Sequence, residues 1–155
     1  MKTIPSIKLP IIIDGKISNE ILFDIMLNKK VVIFGVPGAF TPTCSEKHLP
    51  SFINFNDQIK NKGVDDIYCI SVNDVFVMKA WLATFSGGNN IKCIADGNAE
   101  FAKSMDLLVD YSVNFMGNRC NRFALIAENN SITNFNIEKK DQFFVSSAEY
   151  VLTQL

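Results

Sequence analysis

Histidine is almost absent from this chain: His48 is alone among 155 residues. None of the four cysteines, Cys44, Cys69, Cys93 and Cys120, forms a C-x-x-C pair. Together these shortages argue against a zinc or other metal site. A surplus of charge of either sign is also lacking. Lys and Arg number 15 against 16 Asp and Glu, a formal net charge of −1, so nothing favours nucleic acid or an anionic membrane surface as a partner. Long apolar runs are missing too. Ile7 to Ile13 is too short to span a bilayer and is interrupted by Lys8 and Pro10. No secretory-signal or transit-peptide pattern is seen at the N-terminus. With scattered cysteines, this predicts reduced thiols in a reducing compartment: cytoplasmic, or an organelle matrix if a leader has been removed. There are no linkers, repeats or low-complexity tracts, and 48% of residues are apolar. One domain over residues 1–155, with a sizeable core, is the expectation.

What the chain does have is concentrated between Val31 and His48. Val31, Val32, Ile33, Phe34 and Val36 form a β-branched, apolar run suited to a strand covered on both faces. Pro37-Gly38 breaks it. Thr41-Pro42 then reads as a helix start, with Thr41 as N-cap and Pro42 at the first helical position. Cys44 falls in the first turn, where backbone N–H groups lack intrahelical partners and favour negative charge. That setting suits a nucleophilic thiolate. The competing reading of any such cysteine is a small buried hydrophobe.

Around this stretch the pattern alternates. A first strand at Leu9–Ile13 is closed by Asp14-Gly15. Ser18 is expected to cap a helix to about Leu27, with Ile21, Leu22, Ile25 and Met26 as its apolar stripe. The helix after Thr41 carries Leu49, Phe52, Ile53 and Phe55, contains Pro50, where a kink is expected, and ends near Lys62-Gly63. Asp66–Val72 reads as a buried strand, and Asp74 caps a helix through Phe85. Ile91–Ala95 is a strand, and Asn98 caps a helix to about Met105. Phe123–Ala127 and Ile132–Ile137 read as a hairpin. Ser146 or Ser147 opens a last helix. Trp81, Phe76 and Phe85 read as core. Strands and helices alternating in this order, closed by a hairpin and a helix, predict a thioredoxin-like α/β fold with a mixed central sheet.

Pro37-Gly38-Ala39-Phe40-Thr41-Pro42-Thr43-Cys44-Ser45, followed by His48-Leu49-Pro50, resembles the active-site signature of peroxiredoxins, in particular the peroxiredoxin-5-like (type II) subfamily. Three further blocks resemble it in order: Ser71 to Trp81, Ala95-Asp96-Gly97-Asn98 through Leu107, and Arg119-Cys120-Asn121-Arg122-Phe123-Ala124. The resemblance implies the same thioredoxin-like fold. It also implies a thiol peroxidase that reduces hydrogen peroxide and alkyl hydroperoxides through a sulfenic acid at Cys44. No metal, haem or flavin is implied as cofactor, and a homodimer is common in the subfamily, with Phe40 and the 115–122 loop near the contact.

The site expected from this resemblance is Cys44, Thr41, Arg122 and Pro37. Thr41 lies three residues before Cys44, so its hydroxyl can reach the sulfur; the family's threonine bonds thiolate and peroxide. The family's proline shields the thiolate. Arg122 matches the subfamily's catalytic arginine, and Arg119 is its rival. His48, four residues after Cys44, could suggest a Cys–His hydrolase. No Asn or Asp stands out to orient it, however, and it is read as part of the site wall with Phe40 and Arg119. For recycling, Phe143 to Tyr150 carries Ser146 and Ser147 where some members have a resolving cysteine. The preferred expectation is therefore a one-Cys cycle with glutathione or glutaredoxin as reductant. The alternative is a two-Cys cycle, with Cys69 as resolving thiol and thioredoxin as reductant. Cys69 lies mid-strand and reads more readily as core than as a resolving thiol. Cys93 reads as core, and Cys120, in a loop, as more exposed. A low-turnover redox sensor or holdase is the rival from another class; a disulfide oxidoreductase is disfavoured by the missing C-x-x-C.

Overall fold

In the computed structural model, which describes residues 2–155, Asp14 and Gly15 both adopt positive φ, 50° and 76°. A two-residue turn of that kind matches the twist of an antiparallel hairpin. It folds strand β1 (Lys8–Ile13) back onto strand β2 (Lys16–Ile21), with Ile13 opposite Lys16. The helix expected from Ser18 is thus a strand in its first part, and only α1 (Leu22–Ile25) is helical. The Asp-Gly turn outweighs the Ser18 cap, and the polar residues Lys16, Ser18, Asn19 and Glu20 suit an edge strand.

The apolar run becomes β3 (Lys30–Val36). A helical segment starting at Pro42 follows it and continues as α2 (Leu49–Asn54) and α3 (Asn56–Lys60). Then come β4 (Asp66–Ser71), α4 (Val75–Ala83), β5 (Lys92–Ala95) and α5 (Glu100–Ser104). A small sheet of β6 (Leu108–Asp110) and β7 (Asn118–Cys120), which the sequence reading missed, precedes β8 (Phe123–Glu128), β9 (Ser131–Ile137) and α6 (Ala148–Leu152). The main sheet runs β2-β1-β5-β4-β3-β8-β9. β3, β4 and β5 are parallel, while β1 and β8 join them antiparallel. This is the single-domain thioredoxin-like α/β fold with a mixed sheet.

Alternation along β3 feeds two cores. Val32, Phe34 and Val36 pack under α2, α3, α4 and α6. Val31 and Ile33 point to the other face, under α1 and α5. Gly35 is required where it stands, because the Phe123 ring occupies the place a Cβ would take.

Local expectations were met unevenly. Asp74 caps α4, accepting from Val77 N–H at 2.9 Å. At α5 the cap is Asp96 instead of Asn98. Its carboxylate accepts from Phe101 N–H at 3.1 Å and Ala102 N–H at 3.0 Å, and burial raises its pKa. Pro50 does not mark a simple kink. Cys44–His48 is wound as a π-turn, with Leu49 N–H donating to the Cys44 carbonyl. Pro50 has no N–H to continue an α-helical ladder, and the wider turn absorbs the mismatch. Trp81 is buried as expected, but Phe76 is 75% exposed.

Candidate active site

The parallel strands deliver their ends to one edge of the molecule, where the segment Pro37–Cys44 leaves β3. Asn73, just after β4, holds that segment: its Oδ1 accepts from Ala39 N–H at 3.0 Å and from the Ser71 hydroxyl at 2.6 Å. Phe40 takes a left-handed φ of 64°, and Thr41 then enters the helical segment. The Thr41 hydroxyl does not cap that segment as expected. It donates to the Gly38 carbonyl at 2.6 Å, while the Thr41 carbonyl accepts from Ser45 N–H at 3.0 Å. Trp81 fixes the π-turn from outside, its Nε1–H donating to Ser45 Oγ at 2.9 Å.

Cys44 is 1% exposed. Arg122 Nη2 donates to its Sγ at 3.2 Å. Arg122 stands just before β8, antiparallel to β3, so the guanidinium arrives beside the start of the helical segment. It is itself held from behind. Nη1 lies 2.8 Å from His48 Nδ1, and His48 Nε2 lies 2.8 Å from the Ser146 carbonyl. A guanidinium only donates and a carbonyl only accepts, so His48 carries its proton on Nε2 and accepts at Nδ1. Burial, then the Arg122 charge, hold the His48 pKa well below its ordinary value, against a smaller opposing effect of the Ser146 carbonyl. The imidazole is neutral. It is no Cys–His dyad, because the arginine lies between it and the sulfur.

Arg119, the rival guanidinium, is tied elsewhere: Nε to the Met116 carbonyl at 2.9 Å and Nη1 to the Val72 carbonyl at 3.3 Å. Pro37, Thr41, Arg122 and Phe143 line a cavity of about 450 Å³, with Lys47 and Lys139 on its wall. Phe143 also packs against the His48 ring at 5.0 Å between centroids and lies 5.9 Å from the Arg122 guanidinium carbon. Phe40 is 57% exposed and stands outside this cavity.

All four cysteines are free. Cys69 and Cys93 are register partners on β4 and β5, wholly buried in the core that also holds Cys44. Burial, with a hydrogen bond to Cys93 next, pushes the Cys69 pKa well up. Cys120 is buried as well, contrary to the exposure expected from its place before Arg122: pairing of β7 with β6 turns it inward, its thiol donates to the Asn121 carbonyl at 3.2 Å, and burial raises its pKa. Among the described residues, no three metal-ligating side chains come together.

Sequence reasoning missed Asn73 and the Ser146 carbonyl as parts of this constellation. Asn73 lay inside the second block of resemblance; Ser146 was read only as a possible helix start, and its contact with His48 carried no local signal. Chemically, the arrangement offers a buried sulfur faced by a fixed cation; Arg122 and Thr41 line the cavity, and Cys44 lies behind them and is not on its wall. Such a site can hold negative charge on sulfur and on a small oxygen-bearing molecule.

Comparisons with known proteins agree with that chemistry. The Redoxin family model matches residues 3–152. The chain is similar to Peroxiredoxin-2C of Oryza sativa subsp. japonica, with 47% identity over 92% of this chain and 88% of that protein. Its fold resembles reduced Prx3 in complex with H2O2 from Vibrio vulnificus, with TM-score 0.93, 42% identity and coverage of 99% of this chain and 96% of that one. It also resembles the Plasmodium falciparum antioxidant protein, a 1-Cys peroxiredoxin, with TM-score 0.89, 36% identity and coverage of 97% and 94%. With a thioredoxin-like fold, a buried cysteine under an arginine and these relatives, the chain belongs to the peroxiredoxin family and is a thiol peroxidase.

Proposed function

We propose that Cys44 is the peroxidatic nucleophile, that its substrates are hydrogen peroxide and small alkyl hydroperoxides, and that the type II resemblance extends to the site. The observation that carries this is the Arg122 Nη2–Cys44 Sγ hydrogen bond at 3.2 Å beside a cavity. The Cys44 thiolate attacks one peroxide oxygen. The S–O bond forms as the O–O bond breaks, and the departing hydroxide or alkoxide takes up a proton. Negative charge spreads over sulfur and both oxygens, and the Arg122 donors stabilise it without reorganising. Thr41 positions the peroxide from the cavity wall. In this structure its hydroxyl points to the Gly38 carbonyl, so its oxygen lone pairs remain free to accept from a hydroperoxide O–H. Pro37 closes the wall against water. The Vibrio vulnificus structure bound to H2O2 supports the choice of substrate.

The resulting sulfenic acid is recycled in a one-Cys cycle. Glutathione, alone or followed by glutaredoxin, condenses with Cys44–SOH to a mixed disulfide and water; a second thiol then releases the reduced enzyme. The absence of cysteine from Phe143 to Tyr150 supports this, as do Lys47 and Lys139 on the cavity wall, suited to a carboxylate-bearing thiol. The name of the Plasmodium relative points the same way. A second reading, with Cys69 resolving and thioredoxin as reductant, draws on its shared core with Cys44. It requires local unwinding of the π-turn. The protein acts as a homodimer through the exposed Phe40 and Phe115 loops, in the cytosol or an organelle matrix. Some relatives carry chloroplastic or mitochondrial in their names, and no described helix is long and apolar enough to cross a membrane.

Intact-mass spectrometry of reduced protein tests the cycle after one equivalent of hydrogen peroxide, without and then with glutathione. A gain of one oxygen, replaced by one glutathione and absent in Cys44→Ser, is the expected result. Loss of two hydrogens mapped to Cys44 and Cys69 would establish the second reading. An unchanged mass would overturn both.

A further inference from the structure

We propose that Glu138 is a positioning residue for Arg122, acting through Ser146 and His48. The inference rests on the reading of Cys44 and Arg122 given above. Glu138 follows β9 and is 4% exposed, an unusual place for a carboxylate. Among the described residues, no lysine or arginine lies within ion-pairing distance of it. One oxygen, Oε2, instead accepts three donors from a single segment: Phe144 N–H at 2.6 Å, Ser146 N–H at 3.0 Å and Ser146 Oγ–H at 2.7 Å. Burying a carboxylate without a cation is costly, so three convergent donors are what keep it in place.

The effect of that anchorage is directional. Glu138 N–H donates to the Arg122 carbonyl at 2.9 Å, so the carboxylate springs from backbone paired with Arg122 itself. By gathering the Phe144 and Ser146 amides, it fixes the peptide that presents the Ser146 carbonyl to His48 Nε2. That contact holds the imidazole with Nδ1 turned toward Arg122 Nη1, and the guanidinium is left with Nη2 on Cys44 Sγ. The path runs from Glu138 to Ser146, to neutral His48, to Arg122, to sulfur. Each link is a buried hydrogen bond with a fixed donor and acceptor. Loss of the carboxylate frees the Ser146 peptide to turn, and with it the tilt of the imidazole and the guanidinium. A displacement of that kind at a reacting centre lowers rate without removing any group that touches substrate.

The test is the second-order rate of sulfenic acid formation at Cys44, read by rapid-quench mass spectrometry on the full chain. Glu138→Ala is expected to slow it roughly tenfold. Glu138→Gln, which keeps an acceptor oxygen of the same reach, is expected to stay within about threefold of wild type. In a His48→Ala background, Glu138→Ala is expected to cost little more, because the path is already cut. Should Glu138→Ala fail to fold, Glu138→Asp, shorter by one methylene, takes its place with the same expectation of slowing. A wild-type rate in the shortened variant, or losses that multiply in the double variant, would overturn the proposal. If Cys44→Ser still formed the sulfenic acid elsewhere at full rate, the reading beneath it would fall instead, and the two failures remain distinct.

Discussion

Arg122 divides one guanidinium between a sulfur and an imidazole, and lysine cannot copy that division. A single ammonium on a flexible stem lacks the planar fork that reaches His48 Nδ1 and Cys44 Sγ together. Arg122→Lys is therefore expected to keep the fold and lower kcat/KM for peroxide about 100-fold, checked by steady-state peroxide consumption. His48 carries a different prediction. Its folded-state pKa lies well below 6.5, through burial first and the Arg122 charge second. As pH falls below about 6.5, the unfolded chain takes up a proton that the folded chain refuses. Stability is thus complete above that value and is lost as pH falls toward the folded-state value, at no more than about 1.4 kcal/mol per pH unit. Thermal melts from pH 7.5 to 5.5 are expected to show this loss, and His48→Asn is expected to lack its share of it. At this scale the sequence was legible where chemistry is local. Cys44, Thr41 and Pro37 lie within one short motif, and Arg122 in another. The role of His48 was illegible, because its partners lie 74 and 98 residues away along the chain.

Elements were readable to the extent that their signals were periodic. β3, β4 and β8 are apolar, β-branched runs with few competing readings, and they came through nearly residue for residue. β2 did not, because Ser18 looks like a cap and Ile21, Leu22 and Ile25 look like a helical stripe. The Asp14-Gly15 turn and the unpaired edge of β1 decided the matter, and only the turn was visible in sequence. The α5 cap went to Asp96 over Asn98 because a β-strand end aims its side chain at two free amides. The contact between β3 and β8 gives the clearest test at this scale. Gly35 leaves room for the Phe123 ring, so Gly35→Ala forces the ring or the strand aside. The expected cost is about 2 kcal/mol, a fall in Tm of roughly 6 °C at this chain length, measured by calorimetry.

Across the whole molecule, the edge that carries the cavity also carries its least covered apolar side chains. Phe115 is 98% exposed, and the loop before β7 touches the Pro37–Thr41 segment, since a Cβ on Gly38 would meet Met116 Cε at 3.4 Å. Phe115→Glu is therefore expected to convert the proposed homodimer to a monomer in sedimentation velocity, with a small change in Tm. The global arrangement of sheet and helices followed from the order of elements, whereas the 115–122 loop was singled out only through the family resemblance, because a single exposed phenylalanine carries no signal of its own in sequence. Phe76 did mislead: it was read as core and is exposed. The one tryptophan of the chain reaches furthest. Trp81 belongs to α4, yet its indole N–H is spent on Ser45, the residue beside Cys44. Any unwinding of the turn that holds Cys44 strips the indole of that bond and admits water to it. The intrinsic emission spectrum is therefore expected to shift red wherever the turn opens. A red shift on adding peroxide would mark the unwinding that the Cys69 cycle requires, and a steady spectrum would accord with the one-Cys cycle, without dye or label.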